Sequence, residues 1–144
     1  MQIQRIQTVY LLIATVLMAI FVFVPFGSFH FTSEQAAEFA VIDMPTYKEF
    51  GVLIPSALSA ILLFLDIFMY RNLPRQRTVL LVSVMLTLCT ALVVCFTLFK
   101  GLEGYEPRFS WWGLLVVAAF VFEILAIKGI NRDQKLIASY NRIR

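Results

Sequence analysis

Charged residues are scarce in this chain and unevenly spread along it. Asp, Glu, Lys and Arg make up 15% of its 144 residues, whereas hydrophobic residues make up 60%. Ordinary soluble domains contain about 25% charged and about 45–50% apolar residues. The longest stretch without a charge is Thr78–Phe99, which as a helix would be roughly 33 Å long, against a hydrocarbon core of about 30 Å. The rest of the chain is too short to enclose this segment, so the segment is predicted to span a bilayer.

The chain also has few of the residues that build catalytic and metal sites. Its one histidine, His30, has no partner at ligand spacing. Cys89 and Cys95 lie six positions apart in the longest apolar run, which places them about 240° apart around a helix and implies neither a disulfide nor a metal site. Phosphate-binding glycine loops, nucleophile elbows and paired-histidine motifs are missing. The sequence therefore predicts no catalytic residues, no metal and no cofactor, and gives no argument for an enzyme.

Three more apolar runs accompany the longest one, and together they predict an all-α, polytopic membrane protein with four transmembrane helices in an antiparallel bundle. The first run exceeds the 7–15-residue core of a signal peptide and is not followed by a cleavage pattern, so we interpret it as a retained span. Thr32 and Gln35 have the spacing of a helix cap for a short helix over Ala36–Phe39. The chain is interpreted as one domain with spans at about 9–26, 51–70, 78–99 and 109–127, outer loops 27–50 and 100–108, connector 71–77 and tail 128–144.

The distribution of basic residues predicts the orientation of the bundle. Nine of the twelve Lys and Arg residues lie in the N-terminal segment, the connector and the tail, and three lie in the two outer loops. The positive-inside rule therefore places both termini and the connector in the cytoplasm. The same clustering is typical of membrane topology and argues against a nucleic-acid partner. The candidate lipid- or partner-facing basic residues are Arg71, Arg75, Arg77, Lys128, Arg132, Lys135, Arg142 and Arg144.

The tail combines its basic residues with a helical pattern of apolar ones. The spacing near three and four residues predicts a short amphipathic cytoplasmic helix lying on the membrane surface. Its apolar positions are Ile130, Leu136, Ile137, Tyr140 and Ile143.

Asp66 and Glu123 are the only acids inside the predicted spans, and acids at such positions are functional candidates. Each precedes a basic residue by five positions, Arg71 and Lys128 respectively. One interpretation is therefore a shallow carboxylate, paired with that residue or protonated, that anchors helix packing.

The other interpretation is a polar layer at one depth of the bundle, formed by Asp66, Ser83, Thr87 and Glu123. Ser59 shares a helix face with Asp66 in the second span. Such a layer would be either a proton or ion site or a set of interhelical hydrogen bonds.

Both ends of the chain resemble a known family. The opening MQIQRIQTVYLL and the closing AIKGINRDQKLIASYNRIR are similar to a family of small, four-span bacterial inner-membrane proteins that carries a domain-of-unknown-function label. The specific part of the resemblance lies in Ile3–Thr8 and in Arg142–Arg144. The resemblance implies a fold and a location in the bacterial cytoplasmic membrane, and it implies no activity.

Two functional hypotheses follow from this pattern. The first is a non-enzymatic accessory or scaffold component whose partners are the lipid bilayer and either another membrane protein or a second copy of itself. The alternative is a small oligomeric transporter or channel that uses Asp66 and Glu123 as proton- or cation-sensitive sites. A transporter needs these acids in a wet cavity, whereas a scaffold can bury them between helices.

Overall fold

The fold is a bundle of four long helices capped at one end by a small sheet. A computed structural model describes residues 2–31, 41–101 and 105–141. Each helix packs mainly against two others, in the cyclic order α1, α2, α3, α4. The helices are α1 (Gln2–Phe23), α2 (Phe50–Phe68), α3 (Leu73–Lys100) and α4 (Leu114–Asn141). The predicted four-helix architecture is confirmed.

All four helices are long and apolar enough to cross a membrane. No more than a third of each candidate span is buried inside the bundle. Large apolar side chains such as Phe64, Met85, Phe96 and Val117 are exposed instead. An outer surface made of such apolar side chains is stable in contact with lipid, and its exposure to water would be unfavourable. The chain is a multi-pass membrane protein.

A three-stranded antiparallel sheet closes the end where α1 ends and α2 begins. Strand β1 (Pro25–Phe31) lies between β2 (Val41–Pro45) and β3 (Tyr105–Phe109). Phe26 and Phe29 of β1 are buried, and Thr46 binds the carbonyl of Val24 through both its amide and its hydroxyl. The segments predicted as outer loops therefore contain ordered strands that anchor the helix ends.

Several element boundaries differ from the sequence-based expectation. Pro25 and Phe26 belong to β1 and not to the first span. Helix α3 begins at Leu73, because Pro74 suits the first turn of a helix, so Arg75 and Arg77 are helical. The connector is thus a short turn after Phe68. The short helix predicted over Ala36–Phe39 and the tail residues Ile143, Arg142 and Arg144 lie outside the described residues.

The tail is helical as expected, but it is joined directly to the fourth span. Helix α4 runs without interruption through 28 residues to Asn141, which corresponds to roughly 42 Å. Ile130, predicted to face the membrane surface, is fully buried in the core, whereas Leu136, Ile137 and Tyr140 are exposed. The described part of the tail is an extension of the bundle, and its apolar exposed face begins after Asp133.

A buried side-chain hydrogen bond joins this extension to α1. Gln7 Nε2 donates a hydrogen bond of 2.5 Å to Asp133 Oδ2, and both side chains are almost fully buried. Gly129 gives Gln7 the room to make this bond, because a Cβ atom at Gly129 would lie 2.7 Å from Gln7 Cγ. The small residue lets the two helices approach closely.

We therefore expect Gly129→Ala to destabilise the protein even though alanine favours helix. Displacing Gln7 should cost about 1–3 kcal/mol, more than the gain of up to about 1 kcal/mol from helix propensity. Thermal unfolding in detergent measures the effect. In a Gln7→Ala background the clash is gone, so the same substitution should become neutral or stabilising. The same loss in both backgrounds would contradict this account of Gly129.

Candidate functional site

Four oxygen atoms from three helices form a closed ring inside the bundle. Glu123 on α4 accepts hydrogen bonds through Oε1 from Ser83 Oγ at 3.2 Å and from Thr87 Oγ1 at 2.8 Å, both on α3. Ser59 Oγ on α2 lies 3.1 Å from Ser83 Oγ and 2.8 Å from Thr87 Oγ1. We call these four residues the polar ring. It links α2, α3 and α4 through side chains alone.

The polar ring lies deep in the bundle. Each of its four residues is fully buried, with an exposed fraction of 0%. Ser59 is the central residue of the 19-residue α2, midway between Phe50 and Phe68. Since α2 is just long enough to cross a bilayer, the ring lies at the mid-length of a candidate span, as far as possible from both ends of α2.

The number of hydrogens in the ring depends on Glu123. Each of the three hydroxyl groups has one hydrogen to donate, but the ring has four oxygen–oxygen contacts. With an ionised carboxylate, one contact is therefore left without a hydrogen. A hydrogen on Glu123 Oε1 would let every member donate to the next around the ring. The same four side chains can thus hold either three or four hydrogens without moving.

Asp66 lies apart from the ring, seven residues after Ser59 on α2, or roughly 10 Å along the helix axis. Its side chain is fully buried, and neither carboxylate oxygen has a hydrogen-bond partner among the described residues. Gln76 of α3 approaches it, but Gln76 Nε2 donates to the backbone carbonyl of Asp66, at 3.4 Å. Gln76 Oε1 is likewise buried and unpartnered within the described chain. Three acceptor oxygens on these two residues thus lack donors.

The structure does not form the predicted single layer of Asp66, Ser83, Thr87 and Glu123. It brings Ser83, Thr87 and Glu123 together and leaves Asp66 nearer the α2–α3 turn. The prediction that Glu123 is shallow in the membrane takes Lys128 as the residue where the fourth span ends. Helix α4 continues well past Lys128. A basic residue in the middle of a continuous helix is a poor marker of where the helix leaves the membrane.

Pairing with the nearest cation, one of the two alternatives expected for these acids, is not seen for Asp66 with Arg71 or for Glu123 with Lys128. Both oxygens of Asp66 are unpartnered, and Arg71 is exposed with its guanidinium 6.0 Å from the centre of the Tyr70 ring. The described Oε1 partners of Glu123 are hydroxyl groups, and its Oε2 has none. Lys128 is exposed. Neither carboxylate is neutralised by its nearest cation in sequence.

The basic candidates within the described part of the chain lie on the surface. The six basic candidates within the described chain are all exposed, at the end of the bundle opposite the sheet: Arg71, Arg75, Arg77, Lys128, Arg132 and Lys135. Cys89 and Cys95 are free and exposed on α3. His30 lies in β1, with its Nε2 3.2 Å from Ser28 Oγ. Among residues 2–31, 41–101 and 105–141, no group of three His, Cys, Asp or Glu side chains is placed to hold a metal ion.

The predicted polar layer does not include Ser59, although Ser59 shares a helix face with Asp66. The sequence also does not predict the contact between Gln7 and Asp133. The signal for Ser59 was present, because a hydroxyl on the inner face of a span is typical of interhelical bonding. For Gln7 and Asp133, 126 positions apart, no local pattern indicated the pair. Only the packing of α1 against α4 brings them together.

Fold and site together define a four-helix, multi-pass membrane protein with a buried polar ring near mid-span. Within that class, the chain belongs to the family of the domain of unknown function DUF4293, whose model matches residues 3–143. The predicted membership of a domain-of-unknown-function family is thereby confirmed. No curated protein matches the chain.

Proposed function

We propose that the protein is a non-enzymatic accessory or scaffold component of the bacterial inner membrane, with both termini in the cytoplasm. The observation that carries this proposal is the complete burial of the polar ring. Its hydroxyl groups are engaged with each other and with Glu123 across three helices. A solute in water does not reach these atoms unless the helices separate. The ring therefore acts as an interhelical connection that fixes the rotation of α2, α3 and α4.

The cytoplasmic orientation rests on the exposed cations of the helical end opposite the sheet. Arg71, Arg75 and Arg77 lie at the start of α3, and Lys128, Arg132 and Lys135 lie on the second half of α4. Residues of both segments line the same cavities, so the two segments lie at the same end of the bundle. Positive charge at one membrane face favours that face on the cytoplasmic side, where the surface is available to anionic lipid or a partner.

Cysteine labelling tests this orientation. In a Cys89→Ala/Cys95→Ala background, we expect Asp43→Cys to react with an impermeant maleimide in intact spheroplasts. Asp43 is exposed and lies in the sheet, which the proposed orientation puts on the outer side. Arg75→Cys, also exposed, should react only after the membrane is permeabilised. The reverse pattern of labelling would contradict the proposed orientation.

A second candidate function is a small oligomeric transporter or channel for protons or cations. The hydrogen count of the polar ring favours it, because the ring can hold three or four hydrogens in the same arrangement of atoms. The unpartnered oxygens of Asp66, nearer the cytoplasmic end, supply a second buried polar position along the bundle. Intramembrane carboxylates of this kind mark proton pathways in many membrane proteins.

Flux measurements separate the two functions. In vesicles with an imposed proton or cation gradient, we expect purified wild-type protein to add no flux to that of protein-free vesicles, because the ring is closed to water. A flux present in the wild type and abolished in Glu123→Gln, with the fold retained by circular dichroism, would instead establish the transporter function. The isostere serves as the control because it keeps the shape of the side chain and removes its exchangeable proton.

A further inference from the structure

A groove with a volume of about 810 Å³ runs between the start of α3 and the second half of α4. Its walls include Arg71 and Arg77 on one side and Gln134 and Ile137 on the other. A second cavity of about 380 Å³ adjoins it and adds Lys135, and the two cavities share Arg77, Gln134 and Ala138. We call the two together the basic groove.

The basic groove has charge of one sign. Arg71, Arg77 and Lys135 line it and are exposed, and no Asp or Glu is among the described residues that line either cavity. The nearest acid in sequence, Asp133, is buried against α1 and bonded to Gln7. Its carboxylate is therefore turned away from the groove, so an anion in the groove meets cations without a competing carboxylate.

Part of the remaining lining is apolar, and on α3 it extends into the charge-free run of that helix. Leu81, which is 43% exposed, lies one helical turn beyond Thr78 at the start of the charge-free run of α3. Ile137, which is 48% exposed, faces the groove from α4. A ligand that fits this lining has a negative head at the cations and an apolar chain directed along α3. A free anion would leave the apolar residues uncovered.

We propose that the basic groove is a binding site for an anionic phospholipid of the surrounding leaflet. Its phosphate binds between Arg71 and Arg77, with Lys135 at the second cavity, while Gln134 is available to hydrogen-bond the headgroup and an acyl chain covers Leu81. Arginine is suited to phosphate because its planar guanidinium offers several N–H donors. Basic pockets between transmembrane helices at the cytoplasmic boundary bind such headgroups. This lipid would be a partner of the basic residues described under the proposed function. The assignment of the groove to the cytoplasmic leaflet rests on that proposed function.

Lipid binding by the full-length protein in detergent tests the site. Phosphatidylglycerol and cardiolipin are titrated against phosphatidylcholine, and bound lipid is counted by native mass spectrometry. We expect the anionic lipids to bind at least tenfold more tightly than phosphatidylcholine. Glycerol phosphate, a phosphomonoester that is at least as negatively charged as the headgroup and has no acyl chain, should bind at least tenfold more weakly than phosphatidylglycerol. Equal binding of all three lipids, or equal binding of glycerol phosphate, would overturn the proposal.

Matched charge variants locate the site. The triple variant Arg71→Gln/Arg77→Gln/Lys135→Gln should weaken binding of anionic lipid at least tenfold. The triple variant Arg75→Gln/Lys128→Gln/Arg132→Gln removes the same charge from exposed positions that line neither cavity, and it should weaken binding less than threefold. Equal weakening by both triples would mean diffuse surface attraction and would overturn the groove as a site.

The single variant Arg77→Gln, at the basic residue that lines both cavities, keeps the test available if a triple variant fails to fold. It should weaken binding of anionic lipid about fivefold, and unchanged binding would count against the groove. Loss of lipid binding leaves the flux result unaffected, so the failure of this inference is distinguishable from the failure of the proposed function.

Discussion

Replacing Glu123 with alanine is expected to lower the free energy of unfolding by about 2–5 kcal/mol, the range for deleting a large buried side chain. The substitution opens a cavity among three helices and removes the acceptor of the Ser83 and Thr87 hydroxyl groups. Interhelical hydrogen bonds in membranes contribute only about 0.6 kcal/mol each, so the cavity supplies most of the loss. Thermal unfolding in mild detergent, followed by circular dichroism, measures the effect.

The variant Glu123→Gln tests whether the volume or the charge of this side chain stabilises the protein. Its Oε1 can still accept from Ser83 and Thr87, and its volume is almost unchanged, so we expect the free energy of unfolding to stay within about 1 kcal/mol of the wild type. Val121→Ala, at a half-exposed position on the outer side of α4, controls for the loss of methyl groups where no cavity forms. Large and equal losses in the alanine and glutamine variants would contradict a packing role and would require a charge at position 123.

Asp66→Asn is expected to stabilise the protein by about 1–3 kcal/mol. The carboxylate of Asp66 is buried without a donor, and the nearby Gln76 Oε1 also lacks one. An amide removes the cost of burying a charge, and it adds two N–H donors where acceptors are in excess. An increase in the midpoint of thermal unfolding in detergent would show this directly.

The matched control is Asp43→Asn, which removes the same charge from an exposed position in β2. Its effect should be smaller than about 0.5 kcal/mol, because surface substitutions away from special features change stability little. A loss of stability in Asp66→Asn would mean that the carboxylate of Asp66 has a charged or metal partner in the membrane, and it would strengthen the transporter hypothesis.

The four spans were predictable because the signal for a span is local. A charge-free run such as Thr78–Phe99 is unstable outside lipid wherever its neighbours lie, since each apolar residue adds to the cost of exposure to water. The number of Lys and Arg residues in each segment can likewise be counted without knowing how the segments pack. Length, hydropathy and charge therefore determined the class of protein, the number of helices and their antiparallel order.

Helix boundaries were less predictable where two elements compete for the same residues. Phe26 continues the apolar run of the first span, but in the folded chain it lies in a strand paired with residues 45 to 41 and 109 to 105. Pairing between segments about eighty positions apart leaves no periodic signal in a seven-residue strand. The sheet is thus a product of the tertiary structure, formed once the bundle brings the helix ends together.

The polar ring shows most clearly what the sequence determined and what it left open. The positions of Glu123, Ser83 and Thr87 within the predicted spans were enough to mark them as candidates for a buried polar contact, because polar groups are costly in the membrane. Their joining with Ser59, and the separation of Asp66 from them, depended on the rotation and depth of each helix relative to its neighbours. Those relations are fixed by packing contacts among α2, α3 and α4, such as those of the buried side chains of Leu63, Leu80 and Ala119. Packing between segments that are distant in sequence cannot be predicted from the residues of one segment.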